Sequence, residues 1–337
     1  MQSETPSIRI FNCDVMDGLA QLSDQSVDCV VTSPPYWGLR DYGVAGQIGI
    51  EPSPEAFIAR MVEVFNEVRR VLRDDGTLWL NIGDTYRDKQ LVGVPWRTAL
   101  ALQADGWLLR SEIIWDKAAH KPERVRDRPT NSHERFFLFS KKPRYFYDAD
   151  AVAMPSASSQ GRPQRARAEE IAKQSGLTEE HLAAIRSVGI TDVGKARETQ
   201  SGVGRNRPEV QALADEAKAV LKGYFREFLI GDTVNMRSVW KVKSTTYPGV
   251  HTAVFPPALI EPCIKAGCPV GGTVLDPFGG AGTTGLVADR LQRNAILIEL
   301  NPEYAAMAEH RINSDRGQLL DLMDASKPIL ASEGLTQ

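Results

Sequence analysis

Two stretches carry residue types that could hold a reactive group, and they lie near opposite ends of the chain. The first is Ser33-Pro34-Pro35-Tyr36-Trp37. Consecutive prolines lack amide hydrogens and fix φ, so the carbonyls beside them are rigid acceptors, and Ser33 adds a hydroxyl. Tyr36 supplies a flat ring. This set suits an exocyclic amino group on an aromatic base. Acceptors on both amino hydrogens draw a conjugated nitrogen toward tetrahedral geometry and free its lone pair, while the ring stacks on the base. A proline turn with a core tyrosine has the same local sequence, and only the context separates the two.

The second stretch is Asp276-Pro277-Phe278-Gly279-Gly280-Ala281-Gly282-Thr283-Thr284. Thr273, Val274 and Leu275 predict a short buried strand that stops at Asp276, and the glycines predict a tight turn. Leu286, Val287 and Leu291 share one face of a helix that begins at Thr283. Such a turn lets a ligand approach bare backbone, and the amides at the helix start suit an anionic group. The next strand, 295–298, ends in Glu299, where a doubly wound sheet meets the hydroxyls of a ribose. The unit expects a nucleoside. Its spacing is not Gly-x-Gly-x-x-Gly, and glycine turns after a strand serve nicotinamide, flavin and adenosylmethionine alike.

The elements that position these residues alternate. Residues 8–13 and 27–32 read as strands, with a short helix at 16–22 between them and Asp14 leaving the first strand end. Asp14 serves equally as a helix cap or as an acceptor for a purine amino group. Phe57, Met61, Val64, Phe65, Val68 and Leu72 recur at helical spacing over 54–72. Asp74-Asp75-Gly76 predicts a turn into a strand at 77–82. A helix at 94–105 and strands at 107–117 and 136–140 follow, with 144–147 ending a hairpin. From about residue 151 to 237 the long strands stop and arginines punctuate short helical or loop pieces, including helices from Thr178 and over 208–228. Core elements resume with a strand at 238–243 and a helix at 255–266. The pattern predicts an α/β fold with a mostly parallel sheet and helices on both faces. It divides into halves at 1–150 and 238–315, an insertion at 151–237 and a polar, fraying tail at 316–337.

Composition bounds the partners. The chain has 337 residues, 42% of them hydrophobic, which is enough for a full core. A formal charge of -3 excludes a global polyanion-binding signature, so any nucleic-acid contact rests on local basic patches. Cys13, Cys29, Cys263 and Cys268 have no metal-type spacing and suit buried thiols in a reducing compartment. No signal peptide or membrane-spanning run is present, which predicts a cytoplasmic protein. Basic residues cluster at Lys121, Arg124, Arg126 and Arg128, and again at Arg162, Arg165, Arg205 and Arg207 in the insertion. Clustered charge on irregular segments suits backbone phosphates, and a solvated loop looks similar. The loop 37–49, with Trp37 and Arg40, reads either as a cover for a bound base that touches a phosphate or as an ordinary surface loop.

Residues 32–36 and 276–284 together resemble motifs IV and I of the amino-DNA methyltransferases, which methylate cytosine at N4 or adenine at N6. The catalytic motif precedes the cofactor motif, an order that resembles the circularly permuted β class. Residues 251–256 resemble motif X and 115–147 the surroundings of motif VIII. The resemblance covers most of 8–150 and 238–312. It implies a Rossmann-like fold, S-adenosylmethionine as cofactor, and double-stranded DNA as substrate, with the target base flipped out. By position it gives Ser33, Pro34, Pro35 and Tyr36 the catalytic roles. It gives Asp276, Pro277, Phe278, Gly279, Gly280, Gly282 and Thr283 the cofactor pocket and Glu299 the ribose hydroxyls. Asp14 then nears the adenine, and Thr252, Phe255 and Pro256 close the methionine end. The basic residues above, with Trp37 and Arg40, become DNA contacts, and the insertion becomes the target-recognition region. Serine before Pro-Pro-Tyr resembles the cytosine-N4 enzymes, whereas aspartate or asparagine is commoner among adenine-N6 enzymes. The resemblance further implies a bacterial or phage origin and admits a homodimer and a cognate restriction endonuclease.

Overall fold

A computed structural model describes residues 5–117, 124–155, 163–188, 208–229, 233–244 and 255–325. They fall into two compact units, Met1–Ala151 with Arg237–Gln337 and Val152–Met236. The first unit opens with strand β1 (Ile8–Asn12), helix α1 (Val15–Ala20) and strand β2 (Val27–Thr32). Helix α2 (Pro54–Val71) follows. Ser53 caps it by accepting from the Ala56 amide at 3.2 Å, Pro54 pre-sets its first turn, and Arg69 and Arg70 occupy its last. Its apolar stripe, Phe57, Met61, Val64, Phe65 and Val68, is fully buried. Next come β3 (Leu72–Ile82), the hairpin strands β4 (Tyr86–Arg87) and β5 (Gln90–Leu91), α3 (Val94–Ala104), β6 (Leu108–Asp116) and β7 (His133–Ser140).

The second unit holds β8 (Met154–Pro155), α4 (Pro163–Gln174), α5 (Glu179–Val188), α6 (Pro208–Leu221), a 3-10 turn at Lys222–Phe225, α7 (Arg226–Leu229) and β9 (Thr233–Val234), which pairs with β8. Its core is Ala168, Leu182, Ile185, Leu221 and Phe228. The helix predicted over 208–228 breaks at Lys222, whose φ of 50° beside Gly223 turns the chain.

The first unit resumes with β10 (Val239–Lys241), α8 (Pro257–Gly267), β11 (Thr273–Asp276), α9 (Thr283–Arg290), β12 (Asn294–Glu299) and α10 (Pro302–Ala325). Its eight-stranded sheet has the order β1-β12-β11-β2-β3-β7-β6-β10. Pairing is parallel from β1 to β3, antiparallel on both sides of β7, and parallel again between β6 and β10. From β11 the chain crosses to β12 on one side, and from β2 it crosses to β3 on the other. The junction of β11 and β2 is therefore a topological switch point, where the crossovers diverge and leave a crevice at the strands' carboxyl ends. Val274 pairs with Cys29 and Leu275 with Val30 across it.

Three further predicted features differ. The turn at 74–76 is a bulge inside one long strand: Val27 pairs with Leu72 but Cys29 with Thr77. Gly76 permits it, since a Cβ there would lie 2.7 Å from the Asp28 carbonyl. Residues 144–147 form no strand. Instead the Phe146 amide donates to the Asp75 carbonyl at 2.8 Å, which ties the segment to that bulge. Helix α10 passes through the expected tail boundary because Arg316 donates to Asp289 and to the Pro6 carbonyl, both at 2.6 Å. No helix among the described residues is long and apolar enough to cross a membrane.

Helix α8 meets the sheet through Gly267, whose carbonyl accepts from Thr77 Oγ1 at 3.3 Å, while Trp79 Nε1 donates to that hydroxyl at 3.1 Å. A Cβ at 267 would lie 2.6 Å from Trp79 Nε1 and 3.0 Å from Cys29 Sγ. Gly267→Ala is therefore expected to destabilise the chain by about 1–3 kcal/mol in urea unfolding. An unchanged midpoint would show that the α8 contact yields without cost.

Candidate active site

The carboxyl ends of β2, β11 and β12 open on a cavity of about 300 Å³. On one wall stand Ser33, Pro34, Pro35 and Tyr36, and on the other Asp276, Phe278, Gly279 and Gly280, with Glu299 at its edge. The two chemical stretches, remote in sequence, share one crevice.

The carboxylate of Asp276 joins them. Buried at the end of β11, it accepts from Thr32 Oγ1 on β2 at 2.7 Å, from Thr284 Oγ1 on α9 at 2.6 Å and from the Phe278 amide at 3.1 Å. Burial raises its carboxyl to about 6, although the bonds from Thr284, Thr32 and the Phe278 amide pull it down. The glycine turn is held from both sides. The Gly279 amide donates to the Ile298 carbonyl and Gly282 to Gly279, at 2.8 and 2.9 Å. Gly280 and Gly282 have φ of 51° and 76°, which a side chain would strain. A Cβ at Gly282 would also lie 2.7 Å from the Ala308 Cβ on α10. From α10, Arg311 donates to the Ala281 carbonyl at 3.1 Å and to Thr283 Oγ1 at 2.9 Å. Glu299 accepts from the Gly280 amide at 2.7 Å and the Asn301 amide at 2.8 Å, and burial holds its carboxyl above the usual range.

Opposite, the Tyr36 hydroxyl lies 2.8 Å from Glu134 Oε2 and 3.0 Å from Asn81 Oδ1. Burial, with Glu134 beside it, pushes the phenol well above its ordinary value, so it stays protonated. The ring rests on Gly83, where a Cβ would meet Tyr36 Cδ2 at 2.6 Å. Ser33 Oγ is 3.3 Å from Asn81 Oδ1 and 3.4 Å from the Tyr36 hydroxyl. Lys117 Nζ pairs with the second oxygen of Glu134.

The remaining predicted residues divide. Asp14 lines the cavity and also caps α1, accepting from the Met16 amide at 2.8 Å, so both of its readings are compatible with its place. Arg40, Phe255, Pro277 and Thr283 line the cavity, and Pro256 precedes α8 as its cap. Arg124 and Arg126 are exposed, and the Arg128 guanidinium stacks 3.9 Å over the Tyr86 ring. Trp37 is not available to a partner: it is 4% exposed in the core, its indole donating to the Glu51 carbonyl at 2.9 Å. Arg165 is likewise internal to its unit, bonded to Glu169 and to the Glu227 carbonyl at 2.7 Å and stacked on Phe228. Lys121, Arg162, Arg205, Arg207 and Thr252 lie outside the described residues. Asn81, Tyr42 and Tyr304 escaped the sequence reading of the site. Asn81 had a signal, as a lone amide in the apolar strand Leu78-Trp79-Leu80-Asn81-Ile82. Tyr42 and Tyr304 meet edge-to-face at 6.3 Å on the cavity wall, a pairing that only the fold creates. Among the described residues no group of His, Cys, Asp or Glu is placed to hold a metal ion.

Comparison with known proteins adds five findings. Residues 27–310 match a family model for N6/N4 methyltransferases described as DNA methylase. The chain is 37% identical over 341 residues to the type II methyltransferase M.SmaI of Serratia marcescens, covering 93% of both chains. It is 37% identical over 346 residues to M.XycI of Xanthomonas campestris pv. cyanopsidis, covering 94% of this chain and 91% of that one. Among solved structures, PvuII DNA methyltransferase (cytosine-N4-specific) superimposes with a TM-score of 0.59 at 17% identity, covering 94% and 96% of the two chains. A putative DNA modification methylase of Thermus thermophilus, complexed with S-adenosyl-L-methionine, gives 0.54 at 23% identity, covering 91% and 95%.

Asp276 makes stability depend on pH. With its folded pKa raised to about 6 and an unfolded value of about 3.9, the native state binds the proton more tightly. Its contribution is fully present below about pH 4 and lost as pH rises through about 6, a change on the order of 3 kcal/mol. Asp276→Asn has no such proton, so its urea midpoint should gain on the parent between about pH 4 and 6.5. Parallel profiles would refute the raised pKa.

Proposed function

Because the chain belongs to the N6/N4 DNA methylase family, in its circularly permuted β class, we propose that it methylates the exocyclic N4 of cytosine within a specific sequence of duplex DNA. It is an amino-DNA methyltransferase, and its methyl donor is S-adenosylmethionine. The observation that carries the choice of base is Ser33: a hydroxyl, not a carboxylate or amide, stands before Pro-Pro-Tyr at the end of β2.

The cavity suits the donor. Gly279 and Gly280 let the backbone line the crevice without side chains, and each Glu299 oxygen keeps an acceptor site beyond the amide that it already binds. A vicinal diol supplies the donors which that desolvated carboxylate lacks. Bound there, S-adenosylmethionine supplies an electrophilic methyl on a sulfonium sulfur. The chain's own residues do the rest. Glu299 takes the ribose hydroxyls, the glycine turn and Phe278 cradle the nucleoside, and Phe255 flanks the methionine end. Ser33 Oγ and the Pro34 carbonyl hold the two hydrogens of the target amino group, which raises the nitrogen lone pair toward the methyl. Tyr36 stacks on the flipped base, its ring set by Gly83. The second unit takes the recognition of sequence, and Arg124 and Arg126 meet phosphates. A cytoplasmic location and a cognate restriction endonuclease accord with the type II relatives.

Two outcomes test this. Incubation with S-adenosylmethionine and mixed-sequence duplex DNA, followed by digestion and mass spectrometry of nucleosides, should yield N4-methyldeoxycytidine. N6-methyldeoxyadenosine instead would retain the family and reverse the base. Tyr36→Ala should lower kcat by more than about tenfold while DNA affinity changes less than about threefold. Equal losses in both would count against Tyr36 as the stacking residue.

A further inference from the structure

The groups around the Tyr36 hydroxyl can be counted proton by proton. Asn81 Nδ2 donates to the Arg135 carbonyl at 3.0 Å, which turns Asn81 Oδ1 toward Ser33 and Tyr36. Lys117 Nζ donates to Glu134 Oε1, leaving Glu134 Oε2 for Tyr36. Two acceptors, Asn81 Oδ1 and Glu134 Oε2, thus face two hydroxyls, each with one hydrogen. The charged acceptor at 2.8 Å takes the phenol hydrogen in preference to the neutral amide at 3.0 Å. Asn81 Oδ1 is then left for the Ser33 hydrogen, at 3.3 Å. The Tyr36 oxygen, 3.4 Å from Ser33 Oγ, offers a second inward acceptor with the same consequence.

We infer that Glu134 is a positioning residue that sets the polarity of the Ser33 hydroxyl: by taking the Tyr36 hydrogen it leaves Asn81 to take the Ser33 hydrogen, so that Ser33 Oγ meets the target amino group with lone pairs alone. The inference rests on the reading that Ser33 holds that amino group. A hydroxyl has one donor and two acceptor sites, and one whose hydrogen turned outward would oppose the amino hydrogens. The Pro34 carbonyl needs no such device because it has no hydrogen to misplace. Ser33, as a hydroxyl in the acceptor position, does. Asn81 and Lys117 are not among the residues that line the cavity, and Glu134, which does line it, acts through Tyr36 and Ser33.

Glu134→Gln inverts the chain of bonds with little change in shape. Lys117 is a donor only, so it keeps the Gln carbonyl and turns the amide nitrogen to Tyr36. The phenol hydrogen then moves to Asn81 Oδ1 at 3.0 Å, the nearer of its remaining contacts, while the new amide hydrogen occupies the Tyr36 oxygen, so both inward acceptors of the Ser33 hydrogen, at the longer 3.3 and 3.4 Å, are shared and their hold on it weakens. Methyl transfer to duplex DNA, counted whichever base receives it, should show kcat lowered about tenfold in Glu134→Gln, with KM for DNA within about twofold of the parent. Thermal stabilisation by S-adenosylmethionine should be retained. Tyr36→Phe removes the competing hydrogen, so Tyr36→Phe/Glu134→Gln should be faster than Glu134→Gln alone and within about threefold of Tyr36→Phe. A structural role for Glu134 predicts no such rescue. Should the glutamine chain fail to fold, Glu134→Ala makes the same prediction, since Asn81 Oδ1 again receives the phenol hydrogen. The proposal is overturned if the Glu134 variant stays within about twofold of the parent in kcat, or if adding Tyr36→Phe does not speed it. A parent chain that transfers no methyl to DNA overturns the underlying reading, and the proposal with it.

Discussion

One buried carboxylate joins the two halves of the site. Asp276 ends β11, and its oxygens accept from Thr32 on β2 and Thr284 on α9. Thr32 and Asp276 lie 244 positions apart, and the bond between them spans the switch point of the sheet. Burying an ion at that point is costly, which its raised pKa records, and three hydrogen bonds offset the cost. The same bonds fix where β2 ends relative to the glycine turn. Ser33 follows Thr32 directly and Pro277 follows Asp276, so the Ser-Pro-Pro-Tyr stretch and the glycine turn diverge from this one link.

Much of the fold was legible because its elements carry strong local signals. The stripe of α2, the apolar run of β2 and the strand, glycine turn and helix at 273–291 are periodic, and the observed elements begin and end within a residue or two of the expected positions. What was not legible depends on contacts distant in sequence. The bulge at 73–76 reads locally as a turn, and only the pairing of Leu72 with Val27 keeps it within a strand. The tail reads as polar and frayed, yet Arg316 finds Asp289 and Pro6. Polar composition marks exposure, and it does not distinguish a frayed end from a helix held along one side.

The site divides in the same way. Residues whose chemistry is written in a tight motif, Ser33 to Tyr36 and Asp276 to Gly280, line one cavity. Residues chosen for charge or aromaticity alone fared less well: Trp37 fills the core and Arg165 braces a helix unit, because a large ring or a guanidinium serves packing as readily as recognition. Glu134 lies just beyond the basic cluster at 121–128 in sequence, and its carboxylate meets Tyr36. The antiparallel strand β7 delivers it there, between β3 and β6, and nothing in its local sequence announces the partner.

If the glycine turn and the Pro-Pro-Tyr stretch serve a single reaction in a single cavity, a bound donor must touch both. A crystal structure of the chain with S-adenosylmethionine tests that requirement most directly. The ribose hydroxyls should lie on Glu299, the nucleoside against Phe278 and Gly279, and the sulfonium methyl should face Ser33 Oγ and the Pro34 carbonyl, with room for one amino nitrogen about 3–3.5 Å from the methyl. A ligand bound outside this cavity, or one whose methyl points away from Ser33 with the ribose off Glu299, would contradict it.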